Sequence, residues 1–281
     1  MRTQSMDTRP EAERVQIEMI RKTPLAKRFD RVRSWTKIIS RLNLQNMREQ
    51  YPNTSEEEIA IRLVSRSYDG VLADGIQKAL KGRITKISDA PDLLAVIKSA
   101  VDIFEQLGVA YYIGGSVASS IYGMVQATQD VDVVVNLQIE HIRPLLAQLR
   151  VGYYVDEEAV QDAIQQRTRF SIIHLESLLK VDMFLPQNRP FDQLVLRRAQ
   201  LHLLGENCQP FYIASPEDFI LTQLVWHRRG GKVGDDKWND ILAVLKVQGT
   251  ALDMNYLQRW AAALAVTDLL ERALVDAGLK G

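Results

Sequence analysis

The stretch from Val109 to Val135 decides the fold, and it reads VAYYIGGSVASSIYGMVQATQDVDVVV. Its first five residues, Val109 to Ile113, form a compact run of β-forming residues that two glycines stop. The segment from Ser116 to Tyr122 then predicts a short helix, and Asp130 to Val135 predicts a valine-rich strand. A strand, a helix and a second strand in such close succession indicate a small α/β layer.

Gly114, Gly115 and Ser116 lie at the predicted junction of the first strand and the helix. Glycines let backbone N–H groups approach a ligand closely, a helix N-terminus favours phosphate, and Ser116 adds a hydroxyl donor. A tight turn that needs glycine for its backbone angles explains the same residues, so both interpretations stay open. The dinucleotide fingerprint G-x-G-x-x-G is absent, and no Gly-Lys-Ser/Thr follows to make a P-loop. We therefore expect these three residues to bind a nucleotide phosphate, without assigning either motif.

Asp130 and Asp132 open the second predicted strand. Residues two apart in a strand point to the same face, so the two carboxylates should project together, with Val131 and Val133 on the other side. Adjacent carboxylates repel each other unless a cation lies between them, and oxygen ligands of this kind suit Mg²⁺. The alternative is a pair of exposed acids at a strand end. Aspartate is disfavoured in strands, which makes a metal site worth considering.

A third aspartate, Asp182, lies in the apolar stretch Lys180-Val181-Asp182-Met183-Phe184. If that stretch forms a strand beside the Asp130 strand, three carboxylates converge. Two would bind metal, and the third could bind metal or accept the proton of an attacking hydroxyl. The alternative is an exposed acid on an edge strand, paired with Lys180.

The rest of the chain is expected to be mainly helical around this core. We predict an α+β fold in which a small mixed β-sheet core is flanked by helical regions at both ends. Further strands are expected at 170–175 and 179–185, and helix starts at Ser55, Asp92 and Ser215 from their capping patterns. The predicted regions are a basic helical region at 1–88, an α/β core at 89–186 and a C-terminal helical region at 187–281.

The N-terminal region is basic, with 18 Lys and Arg against 11 Asp and Glu in residues 1–88, although the whole chain has a net charge of zero. An apolar stripe at helical spacing runs through it. A basic amphipathic helix could bind RNA, bind a partner protein or pack on the catalytic domain, and we favour packing. The stripe consists of Leu25, Phe29, Val32, Trp35, Ile39 and Leu42.

Composition limits the class of protein. The chain has 281 residues, of which 46% are hydrophobic, which is enough for a sizeable core. Its single cysteine, Cys208, excludes an internal disulfide, and no apolar run approaches the ~18 residues of a membrane span. We find no signal peptide, so we expect a cytoplasmic protein with no membrane association.

The combined motif resembles the nucleotidyltransferase superfamily that shares the DNA polymerase β-type palm. Gly115-Ser116 is followed after 13 residues by Asp130-x-Asp132, with Asp182 on a later strand. The wider pattern, including Gly123-x-x-Gln126-x-Thr128, is most similar to the minimal and toxin-type (AbiEii-like) branch over roughly residues 92–245. The resemblance implies that Asp130 and Asp132 are metal ligands, that Asp182 is the third acid, and that Gly115-Ser116 contacts the nucleotide phosphates.

Two departures from that branch remove positive charge. Gln126 stands where arginine is common, and Gln223 stands in the Leu221-Thr222-Gln223-Leu224 stretch, where lysine is common. Each lost charge-assisted contact weakens phosphate binding by about 1.5–3 kcal/mol. Other cations could compensate. The sequence also contains the motif Asp236-Lys237-x-x-Asp240, which resembles the branch's late Lys/Asp pair, although a surface pattern of residues four apart on a helix explains it equally well. The candidate phosphate-binding cations are Lys180, Arg228, Arg229, Lys232 and Lys237.

The resemblance implies transfer of a nucleoside monophosphate from a nucleoside triphosphate to a hydroxyl, with Mg²⁺ or Mn²⁺ as cofactor. The acceptor would be RNA, such as a tRNA end, or a protein, in a toxin–antitoxin or phage-defence setting with an antitoxin-like partner. Two rival hypotheses are a catalytically weak nucleotide-binding protein on the same fold, and a basic helical module that binds nucleic acid.

Overall fold

A computed structural model describes residues 3, 8–68, 70–82, 87–88, 91–205, 208–230 and 235–280. Packing groups the chain into two compact units. Unit 1 comprises Met1–Val32, Tyr112–Gln126 and Arg189–Gly281, and unit 2 comprises Arg33–Tyr111 and Ala127–Asn188. Each unit therefore draws on more than one of the three consecutive regions expected from the sequence.

Unit 2 contains a four-stranded mixed sheet with the strand order β3-β4-β5-β2. The two central strands, β5 and β4, are antiparallel to each other, and β5 is parallel to β2. Val131, Val133, Ile172 and Val181 are completely or almost completely buried, which places one face of the sheet in the core. The strands are β2 (Asp130–Val135), β3 (Tyr153–Val155), β4 (Arg169–His174) and β5 (Lys180–Phe184).

Five α-helices of the described chain lie entirely within unit 2, and two of them begin at capping residues that the sequence predicts. Ser55 Oγ accepts a hydrogen bond from Glu58 N at the start of α3, and the Asp92 side chain accepts one from Leu94 N at the start of α5. Gly108 follows α5 with φ +66°, as expected for a helix C-terminus. The helices are α3 (Glu56–Ser67), α4 (Gly70–Leu80), α5 (Leu93–Gln106), α7 (Ile142–Leu149) and α8 (Glu157–Gln166).

Unit 1 is largely helical and contains three short strands in the order β1-β7-β6, with β1 parallel and β6 antiparallel to β7. Its helices include α6, which starts at the glycine pair. The strands are β1 (Tyr111–Ile113, whose first residue belongs to unit 2), β6 (Gln200–His202) and β7 (Phe211–Ile213); the helices are α1 (Pro10–Lys22), α6 (Gly115–Tyr122), α9 (Pro190–Arg198), α10 (Pro216–Arg228), α11 (Asp235–Gln248), α12 (Met254–Ala263) and α13 (Thr267–Ala277).

The mixed α+β fold predicted from the sequence is confirmed, but three strands were not predicted. β3, β6 and β7 have three residues each, and such short runs carry little alternation to distinguish them from loops. β6 and β7 lie in the stretch that we expected to be helical after Pro186. Helix α8 was also missed, although Val160, Ala163 and Ile164 recur at helical spacing and are buried.

Helix α2 (Leu25–Gln50) corrects the predicted apolar stripe. Phe29 and Val32 are fully buried, as expected, whereas Trp35, Ile39 and Leu42 are exposed. The buried side of the helix continues instead through Thr36, Leu44 and Met47. The predicted positions leave the buried side after Val32, because the apolar residues that follow it lie on a different face of the helix from Thr36, Leu44 and Met47.

No helix in the described part of the chain is long and apolar enough to cross a membrane.

Candidate functional site

The strand β2 places its two aspartates on one face. Val131, Val133 and Val135 are fully or almost fully buried, and the alternate residues are partly exposed. Asp130 and Asp132 therefore project together, as the two-residue period of a strand requires. This alternation was predicted from the sequence, and it leaves both carboxylates on the solvent-accessible side of the strand.

The neighbouring strand brings the third aspartate to the same place. β2 and β5 are parallel and pair with Asp130 opposite Lys180 and Asp132 opposite Asp182. Neighbouring strands are about 4.8 Å apart, so side chains at paired positions on one face are in reach of each other. The register therefore assembles Asp130, Asp132, Asp182 and Lys180 into one group, which we call the carboxylate cluster.

Lys180 holds two of the three acids. Its Nζ lies 2.8 Å from Asp182 Oδ2 and 3.5 Å from Asp130 Oδ2. One ammonium group therefore contacts both carboxylates, which brings them close together. Burial lowers the pKa of Lys180, but the hydrogen bond to Asp182 and the charges of the three aspartates outweigh it. The pKa of Lys180 is therefore raised, and the residue carries a stable positive charge among the acids.

Asp182 is the most enclosed acid of the cluster, with a side chain that is 6% exposed against 46% for Asp130. Ser171 on β4 is its partner on the other side, and the Ser171 hydroxyl donates a hydrogen bond to Asp182 Oδ1. Both carboxylate oxygens of Asp182 thus already accept a hydrogen bond. Each oxygen has a second lone pair, so the residue keeps capacity to accept a proton or bind a cation.

Two threonines fix the segment that leads into β2. Thr128 Oγ1 donates to Asp130 O at 2.7 Å and accepts from Asp130 N at 3.2 Å. Thr36 of α2 donates to Thr128 O and accepts from Thr128 N, both at 3.1 Å. Thr36 and Thr128 are buried, where satisfied polar groups are costly to disrupt. The first aspartate is therefore positioned by a residue of α2 that lies 94 residues earlier in the chain.

Tyr68, the C-cap residue of α3, lies beside the cluster. Its hydroxyl donates to Leu178 O at 2.7 Å, two residues before Lys180. Burial raises the pKa of Tyr68, and the negative charges of Asp130 and Asp182 raise it further. The phenol therefore stays neutral and cannot add to the repulsion among the carboxylates.

The donor set fits a divalent cation. The cluster offers carboxylate oxygens from three residues on paired strands, and oxygen ligands from one or two carboxylates are typical of Mg²⁺ sites. Among the described residues, however, no group of three or more His, Cys, Asp or Glu side chains is arranged to hold a metal ion as it stands. Lys180 lies between Asp130 and Asp182, where a cation would otherwise balance them, so metal binding would require these side chains to adjust.

The glycine turn predicted to bind phosphate lies in unit 1. Gly114 is the N-cap residue of α6, and Gly115 has φ +47°, a left-handed conformation that favours glycine. The Ala118 N–H bonds to Gly114 O, so the first turn of the helix is formed at this point. This explains the glycines through backbone geometry and leaves phosphate binding at Gly114, Gly115 and Ser116 a prediction.

The other predicted phosphate-binding cations also lie in unit 1. Arg228 is the last residue of α10, Arg229 caps that helix, and Lys237 lies in the first turn of α11; all three are exposed. Lys232 and the side chain of Asp236 fall outside the described residues.

Gln126 has a structural contact within unit 1. Its Nε2 donates to Asp240 Oδ1 at 3.1 Å, and Asp240 is buried. The amide supplies a hydrogen-bond donor to this acid but no positive charge. The position therefore contributes to packing in unit 1 without supplying a cation.

Sequence reasoning missed Ser171, Thr36 and Tyr68. Nothing in their local sequence distinguishes them from other polar residues, because their contacts depend on strand pairing and on the docking of α2 and α3. Thr128 was visible in the motif pattern, but its hydrogen bonds to Asp130 were not.

No protein-family model matches the sequence, and no curated protein matches it either. Among solved structures, one similar chain is an antigenic nucleotidyltransferase-like protein from Paracoccidioides brasiliensis. It is 16% identical over 64% of this chain and 91% of its own length, with a TM-score of 0.35. A second is the antibiotic-resistance factor ANT(2'')-Ia, 12% identical over 60% of this chain and 94% of its own length, with a TM-score of 0.38. Similarity this low carries no argument about activity, so the functional case depends on the carboxylate cluster.

Proposed function

We propose that this chain is a metal-dependent nucleotidyltransferase that moves a nucleoside monophosphate from a nucleoside triphosphate to an acceptor hydroxyl. The observation that supports it is the β2–β5 register, which pairs Asp132 with Asp182 and groups both with Asp130 and Lys180. Acids in strands are uncommon, and three carboxylates grouped on two paired strands suit a charged ligand. A polyphosphate with its cation is such a ligand.

In the reaction, the acceptor oxygen bonds to the α-phosphorus, the bond to the β-phosphate oxygen breaks, and pyrophosphate leaves. Asp130 and Asp132 would hold Mg²⁺ or Mn²⁺, which when bound neutralises phosphate charge and orients the oxygens of the triphosphate. Asp182 is held in place by Ser171 and Lys180 and would accept the proton of the acceptor hydroxyl, or share in holding the cation.

Lys180 has two tasks in this proposal. In the absence of substrate, its ammonium limits the repulsion between Asp130 and Asp182. With substrate present, the same ammonium is a candidate partner for a phosphate oxygen, since a lysine side chain is flexible and can exchange one acidic partner for another. We keep Gly114, Gly115, Ser116, Arg229 and Lys237 as further candidates for phosphate binding on the strength of the sequence resemblance.

The test is a transfer assay with each α-labelled nucleoside triphosphate, Mg²⁺ or Mn²⁺, and either total RNA or cell-lysate protein as acceptor. The resemblance to the toxin-type branch motivates these acceptors, and an antitoxin-like partner would be sought only once transfer is seen. We expect transfer that EDTA abolishes. The matched variants are Asp130→Asn with Asp132→Asn at the cluster and Asp162→Asn on α8, an exposed aspartate of the same unit.

Loss of both cluster acids should reduce transfer at least about 1,000-fold, equivalent to roughly 4 kcal/mol of transition-state stabilisation. Asp162→Asn should transfer like the parent protein. Equal transfer by the cluster variant and the Asp162→Asn control would show that the carboxylate cluster is not the catalytic site.

The second candidate is a nucleotide-binding protein with weak or no turnover on the same fold. Gln126 favours it, because that residue bonds Asp240 and supplies no positive charge. Calorimetric measurement of nucleoside triphosphate binding, combined with the transfer assay, distinguishes the two candidates. Metal-dependent binding with no transfer to any acceptor would establish the second and exclude the first.

A further inference from the structure

A cavity of about 70 Å³ opens beside the carboxylate cluster, entirely within unit 2. A water needs roughly 10–15 Å³ of such space, so this cavity has room for about five to seven waters or for a small ring. Residues that directly precede two members of the cluster form part of its wall: Gln129 precedes Asp130, and Leu179 precedes Lys180. Lys180 N donates to Gln129 O at 3.2 Å, so these two wall segments are paired where β2 and β5 begin.

The wall is held together by specific contacts. Tyr68 donates to Leu178 O, which ties the end of α3 to the β4–β5 turn. Ser88 N donates to Glu176 O at 3.1 Å, which ties residues 87–88 to the same turn. The Glu56 carboxylate accepts from Ile87 N at 3.2 Å while Arg48 holds it from α2. Residues from five parts of the chain thus line one cavity.

The chemistry of the lining is neutral and polar on apolar walls. Among the described residues that line the cavity, none is Asp, Glu, Lys, Arg or His. Asn43 and Gln129 each offer a carboxamide with donors and an acceptor, serine hydroxyls add further partners, and Tyr68 offers an aromatic face. The described part of the lining offers no countercharge to a phosphate or a cation, whereas it offers an uncharged planar ring both hydrogen-bonding partners and a stacking surface.

We propose that this cavity holds a nucleobase of the nucleotide on which the neighbouring carboxylates act. The inference rests on the proposed function for the nature of the ligand. Asparagine and glutamine side chains recognise base edges through paired donor and acceptor contacts, and bases stack on tyrosine rings in single-strand recognition. Tyr68 links the cavity to the cluster, because it lines the cavity and lies within range of the charges of Asp130 and Asp182. A base held beside Tyr68 therefore leaves its sugar and phosphate close to those acids.

This assigns a role to the N-terminal helices that the sequence left without one. Asn43 of α2 and Tyr68 at the end of α3 supply part of the recognition surface, and the strands supply the charged groups. The base has two sources, the incoming nucleoside triphosphate or the terminal nucleotide of an RNA acceptor, and the same wall chemistry serves both.

The experiment uses the full chain and two variants that remove hydrogen bonding at nearly constant size, Asn43→Leu and Gln129→Met. Gln45→Met is the control, since Gln45 lies on the same helix as Asn43 and bonds Glu49 outside the cavity. Binding of each nucleoside triphosphate and of a short RNA without a triphosphate is measured by calorimetry with Mg²⁺. Each cavity variant should raise the Kd of one of these ligands about three- to tenfold, the loss of one or two neutral hydrogen bonds.

The two arms identify the source of the base. Weaker triphosphate binding with unchanged RNA binding assigns the cavity to the incoming nucleotide, and the reverse assigns it to the acceptor. A third variant, Ser40→Leu, fills the cavity from α2 and should weaken binding of the same ligand. It tests the cavity without changing either carboxamide side chain. Thermal melts show which variants remain folded.

Binding by Asn43→Leu and Gln129→Met that matches Gln45→Met for every ligand overturns the inference. If the parent protein also transfers label in that case, the proposed function holds and only the base site is wrong. If no acceptor is ever labelled but the cavity variants still weaken binding, the base site stands and the transferase function fails.

Discussion

Two lysines of this protein lie among acids, and the difference between them separates a structural ion pair from a candidate site. In unit 1, Lys246 of α11 bonds Glu13 of α1 at 3.0 Å, and both side chains are almost completely buried, at 1% and 0% exposure. In unit 2, Lys180 contacts Asp182 and Asp130 in a group that also includes Asp132, and Asp130 is half exposed.

The sealed pair balances one charge with one charge, which is what burial requires, since a lone buried charge is very costly. The open cluster groups three acids with Lys180, and Asp130 and Asp132 are partly exposed. We propose that this accessible group of acids binds a ligand that carries positive charge. The comparison teaches that access to solvent distinguishes the two kinds of site.

Breaking the sealed pair should have the largest effect on stability. Glu13→Gln leaves Lys246 charged in the core, and the free energy of unfolding should fall by about 3–5 kcal/mol, measured by urea denaturation. Glu18→Gln, an exposed position on the same helix, is the control. The double variant Glu13→Leu with Lys246→Met should recover most of the loss. A cost below about 0.5 kcal/mol for Glu13→Gln, in the range of ordinary surface changes, would contradict a structural role for the pair.

Removing the lysine of the open cluster should have a smaller effect that depends on metal. Lys180→Met removes the ammonium between Asp130 and Asp182, so the free energy of unfolding in EDTA should fall by about 2 kcal/mol. Millimolar Mg²⁺ should restore much of this loss, because a ligand that binds the folded state stabilises it. Thermal melts with and without Mg²⁺ measure the effect.

Lys98→Met, which removes an exposed lysine of the same unit, is the control for the Lys180 experiment. Mg²⁺ should change its melting temperature no more than it changes that of the parent protein, and it should not rescue Glu13→Gln. If Mg²⁺ changes the melting temperature of Lys180→Met no more than that of Lys98→Met, the carboxylate cluster is not a cation site.

Tyr68→Phe probes the edge of the open cluster at constant shape. The variant loses the hydrogen bond to Leu178 O, and the free energy of unfolding should fall by about 1 kcal/mol. The pKa of Tyr68 is raised, so the phenol is neutral at ordinary pH and its loss should cost the same at pH 6 and at pH 8. A loss that grows with pH across this range would show that the hydroxyl is ionised beside the acids.

His174 gives the smallest expected effect, and it concerns pH. Burial lowers the pKa of His174 below its ordinary value of 6.5, while its Nδ1 lies 2.8 Å from Ser177 Oγ. The unfolded chain therefore gains a proton before the folded one as pH falls, so stability is retained above about pH 6.5 and decreases below it. In His174→Gln, the fall in melting temperature between pH 7 and pH 5 should be shallower. Identical slopes would contradict this contribution.

The sequence by itself determined the strands β2 and β5 and the common face of Asp130 and Asp132. The D-x-D pair followed by valines requires alternation, so Asp130 and Asp132 had to project together, and the helix caps at Ser55, Asp92 and Ser215 followed from local hydrogen-bonding preferences. These features depend on near neighbours in the chain, and near neighbours are visible in a sequence.

Only the tertiary structure decided which residues meet across the chain. The register that sets Asp182 beside Asp132, the hydrogen bonds of Ser171 and Thr36, and the cavity lined by Asn43 and Gln129 each join segments that are far apart in sequence. Pairing of this kind is selected by the packing of whole elements and leaves no local pattern. For the same reason the exposed face of α2 was assigned to the core, since an apolar stripe does not state which neighbour will cover it.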